Sequence, residues 1–159
     1  MDSKKAPKQL NSPLVAKAMK FSSKAVVWVY RRTGGRIGGN WRVGAAFKKP
    51  VPTLLLEHRG RKSGKQFVSP LVYMTDGDDV IIVASVGGRA QNPQWYHNLV
   101  ATPDAYIEIG PERRAVRAVL AGPEDRARLW PKLVEAYADF DTYQSWTDRE
   151  IPVFILQPR

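Results

Sequence analysis

From Pro52 onward the chain is a series of short apolar runs separated by turn residues, and most separations are too short to carry a parallel strand back to its start. Residues 53–58 and 66–74 flank the turn 59–65, the turn 75–79 leads into 80–85, residues 104–109 and 113–120 flank Gly110-Pro111, and 151–157 is a last strand. Parallel neighbours need a crossover of about a dozen residues or more. The expected fold is therefore mainly β (α+β): a small antiparallel barrel that closes on itself to protect its edges, with helices packed outside. A doubly wound parallel sheet does not fit.

Helices are marked by their starts. Ser12-Pro13 combines a capping hydroxyl with a proline at the first helical position, predicting a helix over 12–32. Leu14, Ala18, Phe21, Ala25 and Trp28 recur at helical steps, while Lys17, Lys20, Lys24 and Arg31 fall on another side. This basic amphipathic helix could dock its apolar face on the domain or lay it in a membrane interface. Asn92-Pro93 opens a short helix through Leu99, and Pro123 opens another over 124–137, with Leu129, Leu133 and Ala136 at core spacing. Pro131 is expected to kink or split that helix. Residues 1–11 read as a basic tail, 33–50, with five of the 12 glycines, as a mobile loop, and 51–159 as the barrel domain.

The net charge of +10 is uneven. Residues 1–70 hold 16 Lys and Arg against two acids, a net +14, whereas 71–159 hold nine against 13, a net −4. Such a half faces something anionic, whether nucleic acid, a lipid surface or a phosphorylated ligand, or simply aids solubility. With no cysteine, disulfides and thiolate metal sites are excluded. No apolar run approaches the roughly 18 to 20 residues of a bilayer crossing, and MDSKKAPKQLNSP lacks the apolar core of a signal peptide, so a cytosolic location is expected.

Three constellations can carry chemistry. Gly60-Arg61-Lys62-Ser63-Gly64-Lys65 places three cations, a hydroxyl and two glycines in one turn, a composition suited to an anion or to a solubilising hairpin tip. Ala84-Ser85-Val86-Gly87-Gly88 leads to the helix start at Asn92-Pro93, which gathers free backbone N–H groups beside the Ser85 hydroxyl; the plain alternative is a chain reversal with Trp95 and Tyr96 in the core. Tyr137, Phe140, Tyr143 and Trp146 recur every three residues, as core cover or as the wall of a flat apolar ligand. His58 and His97 form no metal-ligand pair, and neither GxSxG nor GxGxxG occurs. An enzyme built from these parts needs an organic cofactor.

The motifs Gly60-Arg61-Lys62-Ser63-Gly64, Ala84-Ser85-x-Gly87-Gly88, Asn92-Pro93-x-Trp95-Tyr96-x-Asn98-Leu99 and Tyr143-Gln144-Ser145-Trp146-Thr147-Asp148-Arg149, in that order, resemble the deazaflavin-dependent nitroreductase family of actinobacteria. The resemblance spans nearly the whole chain, including Asn11-Ser12-Pro13-Leu14 and Tyr30-Arg31-Arg32. It implies a split β-barrel like those of flavin reductases and FMN-binding proteins. It also implies hydride transfer from reduced coenzyme F420, a deazaflavin with a phosphate and an acidic tail, to a quinone, activated enone or nitro compound.

By the same resemblance Arg61, Lys62, Ser63 and Gly64 would hold the phosphate and tail, while Pro70, Val83, Ala84, Ser85, Val86 and Gly87 would line the deazaflavin. Trp95 and Asn98 would close its other side. Ser85 would polarise the acceptor as the catalytic residue, and Tyr137, Phe140 and Tyr143 would form a substrate lid; no metal is implied. Val86 stands where the nitroimidazole-activating member has a lysine, and Phe140 and Val72 where it has tyrosines. A quinone or enone is thus the expected acceptor, and the amphipathic helix would reach it at the inner face of the plasma membrane. The alternatives are an FMN-binding reductase on the same barrel, a nucleic-acid module, or a membrane-peripheral protein without activity. No nucleic-acid partner is expected, because the aromatic residues do not interleave with the basic ones in a recognisable binding motif.

Overall fold

A computed structural model describes residues 12–41 and 49–159; the expected tail at 1–11 and part of the expected loop, 42–48, lie outside the described residues. The strands are β1 (Asn40–Trp41), β2 (Val51–Arg59), β3 (Gln66–Val72), β4 (Met74–Asp76), β5 (Asp79–Val83), β6 (Asp104–Ile109), β7 (Glu112–Leu120) and β8 (Val153–Pro158). Four helices accompany them: α1 (Pro13–Thr33), α2 (Gln94–Ala101), α3 (Pro123–Ala136) and α4 (Asp139–Ser145).

All pairings are antiparallel, in the order β2, β6, β7, β8, β5, β4, with β3 on the other edge of β2. The run expected as one strand over 66–74 is broken at Tyr73. Its first part pairs with β2 and its continuation with β5, so one bent length of chain joins the two ends of the sheet and curls it into a split barrel. Tyr73 turns that corner while its N–H is satisfied by the Pro52 carbonyl at 3.1 Å.

Period-two alternation then sorts the side chains onto two faces. Val80 and Ile82 of β5, and Phe154 and Leu156 of β8, point into the barrel with Leu54, Leu56, Ile107 and Val116. Ile81, Val83, Val153 and Ile155 point outward to a second core made with Leu129, Leu133, Tyr137 and Phe140. Trp95 and Leu99 of α2 belong to the inner core, so α2 is packed tightly against the barrel. α3 runs through Pro131 without a split, because Leu129 and Leu133, on either side of the proline, are buried in the outer core. The aromatic segment expected near the end of that helix forms a separate element, α4.

α1 is anchored at its C-terminal end. The fully buried Tyr30 accepts the Gly110 N–H at 2.8 Å, and its hydroxyl faces the Thr53 and Glu108 carbonyls at 3.1 and 3.3 Å. The described members of the apolar stripe, Leu14, Ala25 and Trp28, do not dock as the first of the two sequence expectations had it, and Ala18 and Phe21 lie outside the described side chains. Leu14 is 80% exposed, Trp28 is 66% exposed and Ala25 is exposed; Val27 and Tyr30 face the protein instead.

Candidate active site

A cleft of about 700 Å³ opens between the β2–β3 hairpin, α1 and the start of α2. Its hairpin wall is the turn that the sequence singled out. The Gly60 N–H donates to the Lys65 carbonyl at 2.8 Å, the Gly64 N–H to the Gly60 carbonyl at 2.9 Å, and the Lys65 N–H to Ser63 Oγ at 3.2 Å. Gly64 sits at φ +68°, a left-handed position that closes the turn without a Cβ clash. α2 grips this turn from the side: the Arg61 N–H donates to Asn98 Oδ1 at 3.1 Å and Arg61 Nη1 to Gln94 Oε1 at 2.9 Å.

Lys24, Arg61, Lys62 and Arg89 line the cleft, and among the described residues no carboxylate does. Several arginines elsewhere are matched with acids, as in Arg31–Glu108 at 2.7 Å, Arg113–Glu57 at 2.8 Å and Arg128–Asp76 at 2.9 Å. Among the described residues the four cleft cations have no such partner. Four like charges converging on one concave surface set up a positive field. Val27, Phe67, Val68, Val86, Pro93 and Trp95 supply apolar walls beside them.

His58 and Ser69 lie in the same cleft, and sequence reasoning missed both as site residues. His58 is 5% exposed and stacks on Phe67; its Nδ1 is 2.9 Å from Asn98 Nδ2 and its Nε2 3.0 Å from Ser69 Oγ. Burial pushes its pKa from 6.5 down to about 4. Among the described residues no cluster of three potential ligands could hold a metal ion. Gln94, Arg89, Lys24 and Val27 were missed as well.

The second constellation sits at the end of β5. Val86–Gly88 forms a short 3₁₀ turn in which Val86, at φ +44°, is a β-branched residue in the left-handed region. Gly88 is required by close approach: a Cβ there would lie 2.9 Å from the Tyr143 carbonyl oxygen of α4. Arg149 ties this loop together, donating to the carbonyls of Ser85 and Arg89 at 3.0 Å each and to Asn92 Oδ1 at 2.8 Å. Burial lowers the Arg149 pKa from its ordinary value. Its role was invisible in the sequence, since its partners lie about 60 residues away.

Of the residues expected at the site, Arg61, Lys62, Ser63, Val86, Trp95 and Asn98 line the cleft, and Gly64 shapes the turn beside them. Ser85 is buried at the end of β5, and its hydroxyl does not cap the following turn. Val83 lies in the outer core, Ala84 in the inner core, Gly87 in the 3₁₀ turn and Pro70 opposite Leu55 in the β2–β3 ladder. Tyr137 and Phe140, each 4% exposed, are not placed over the cleft as a lid. They pack in the outer core, where Tyr137 Oη meets Tyr143 Oη at 3.0 Å, and α4 backs the turn after Ser85. Apolar contact with Leu129 and Leu133 outweighs exposure of three rings.

Residues 22–158 match the family model described as F420H(2)-dependent quinone reductase. Rv3178 of Mycobacterium tuberculosis, to which that name is provisionally attached, is 66% identical over 118 residues, covering 74% of this chain and 99% of that protein. The F420H(2)-dependent quinone reductase Rv1261c of the same organism is 44% identical over 134 residues, covering 82% of this chain and 86% of its own. The solved structure of an F420-H2 dependent reductase, FDR-A, superposes with a TM-score of 0.62 at 36% identity, over 67% of this chain and 94% of that one. The chain belongs to the F420H(2)-dependent quinone reductase family.

Proposed function

We propose that the cleft binds reduced coenzyme F420 and that the protein is an oxidoreductase passing hydride from it to a quinone or an activated enone. The observation that carries this is the acid-free group of Lys24, Arg61, Lys62 and Arg89 beside the apolar surface of Val27, Phe67, Val86 and Trp95. A ligand that is flat and apolar at one end and anionic at the other matches both halves, and the volume falls within the range of small-molecule sites. The donor set therefore fits the deazaflavin with its phosphate and acidic tail.

Bound there, the cofactor supplies the hydride. Arg61 offers a forked donor, Lys62 a mobile charge, and Ser63 and Gly64 a hydroxyl and a backbone N–H, which together hold the phosphate and tail. Val86, Trp95 and Asn98 line the ring's surroundings and exclude water, while Pro70, Val83, Ala84 and Gly87 back them from the β2–β3 ladder, β5 and the turn that follows it. The Ser85 hydroxyl donates to the acceptor's oxygen as negative charge develops there, which lowers the barrier only if the hydroxyl is held in place beforehand. Tyr137, Phe140 and Tyr143 support that placement from behind, through α4. Val86 brings no charge to the acceptor side, which favours a neutral quinone or enone over a nitroimidazole.

The exposed face of α1 supports a peripheral contact with lipid. Leu14, Ala25 and Trp28 face outward on a helix that also carries exposed Lys17, Lys24, Arg31 and Arg32. No helix among the described residues is long and apolar enough to cross a membrane.

A fluorescence titration with oxidised F420 beside FMN, followed by oxidation of the reduced deazaflavin by menadione, tests the reading. The wild type should saturate with the deazaflavin and turn over, and the Arg61→Ala/Lys62→Ala double variant should bind at least about tenfold more weakly at low salt. Saturation by FMN alone, or equal F420 affinity in the double variant, refutes it.

A further inference from the structure

His58 lies in the cleft with both ring nitrogens engaged, and the hydride-transfer reading gives it nothing to do. Its neighbours settle its protonation. A backbone N–H can only donate, and the Arg61 N–H lies 3.1 Å from Asn98 Oδ1. The Asn98 amide oxygen therefore faces Arg61 and its NH₂ faces the ring, because the reversed amide would set donor against donor. Asn98 Nδ2, at 2.9 Å, then donates to His58 Nδ1, which must carry a lone pair. The neutral ring keeps its proton on Nε2 and donates it to Ser69 Oγ at 3.0 Å. Burial reinforces this neutral state, with the pKa near 4.

The chain of donors thus runs one way, from the Arg61 N–H through Asn98 and His58 to Ser69. Since Ser69 Oγ accepts from the ring, its own proton points elsewhere, and among the described residues no protein acceptor receives it. Ser69 lines the cleft on β3, two positions along from Phe67, the residue paired with His58.

We propose that His58 is a positioning residue that turns Ser69 into a dedicated hydrogen-bond donor into the cleft, aimed at an acceptor atom of the bound deazaflavin cofactor. The inference rests on the cofactor reading above. It links two kinds of recognition in one structure, because the amide that holds the cationic Arg61 turn also sets the tautomer that aims the neutral Ser69 donor.

Two measurements test it. Nitrogen-15 NMR of the full chain without ligand, with the His58 ring assigned by loss of its signals in His58→Gln, should show the neutral Nε2–H tautomer at neutral pH. The Nδ1–H tautomer or an imidazolium overturns the donor chain. In titrations with oxidised F420, Ser69→Ala should weaken binding about tenfold, whereas Ser69→Thr, which keeps the hydroxyl, should stay within about threefold of the wild type. Equal affinity in Ser69→Ala, or equal losses in both variants, overturns the donor role, the latter because packing alone would then account for the loss. A wild type that binds no deazaflavin overturns the proposed function and the cofactor as Ser69's acceptor together, while the tautomer still decides the donor chain.

Discussion

Acidification should destabilise this protein through His58 by an amount that can be isolated. The ring is 5% exposed, and its pKa is lowered from 6.5 to about 4 by burial. Its immediate partners, Ser69, Asn98 and Phe67, are neutral, and the Asn98 amide already donates to Nδ1, leaving no acceptor for a second ring proton. The unfolded chain takes up the proton first as the pH falls. The contribution is therefore complete above about pH 6.5, is lost as the pH falls towards 4, and changes no further below that. The gap between 6.5 and about 4 corresponds to about 3 kcal/mol in total, of which about 2 kcal/mol is lost by about pH 5. Urea unfolding of the wild type and His58→Gln at about pH 7.5 and about pH 5 measures it, since every other group is common to the two proteins and cancels in the double difference. The wild type should lose about 2 kcal/mol more than the variant over that interval. A double difference below about 0.5 kcal/mol would show that His58 is not held neutral by burial.

Two further outcomes are expected. Arg149→Ala removes three hydrogen bonds from the Ser85–Asn92 loop and should lower stability by about 3 kcal/mol in urea unfolding, with Arg149→Lys recovering only part; a loss below about 1 kcal/mol would mean that the loop holds itself. Trp28→Glu should reduce co-sedimentation with phosphatidylglycerol vesicles while leaving solution turnover of menadione intact, and undiminished vesicle binding would remove the α1 face from any lipid contact.

The barrel was legible in the sequence because its strands alternate with period two and its turns carry residues that suit turns. Gly64 and the Gly110-Pro111 hairpin are local signals, and local signals survive into the fold. The break at Tyr73 was not legible, since Leu71, Val72, Tyr73 and Met74 continue an apolar run and the change of partner from β2 to β5 is a tertiary event. For the same reason β1, a two-residue strand on the start of β2, was invisible inside a glycine-rich stretch. On α1 the periodicity correctly gave a helix but not which side faces the protein: the anchoring side chain is Tyr30, held by carbonyl and N–H groups of β2 and the β6–β7 hairpin, which no helical period encodes. The cationic turn was found from composition, whereas His58 and Ser69 gain meaning only once the hairpin register brings them together.

Val86 and Arg149 show how local preference gives way at the cleft. A valine at φ +44° is disfavoured by about 1 to 3 kcal/mol, so the conformation persists only where its surroundings over-determine it. Those surroundings are present. Arg149 fastens the carbonyls of Ser85 and Arg89 on either side of the turn, Gly88 lets the α4 backbone approach, and Gln144 of α4 holds the Arg149 carbonyl at 2.8 Å. A half-buried guanidinium with no carboxylate partner among the described residues is itself unfavourable, yet its three neutral acceptors satisfy its donors while leaving its charge uncompensated. Through its bond to the Arg89 carbonyl this guanidinium adjoins a cleft residue, so its charge adds to the positive field of Lys24, Arg61, Lys62 and Arg89, and an anionic ligand offsets that charge. Binding of such a ligand should therefore stabilise the Ser85–Asn92 loop along with the hairpin, although the two segments belong to different strand connections.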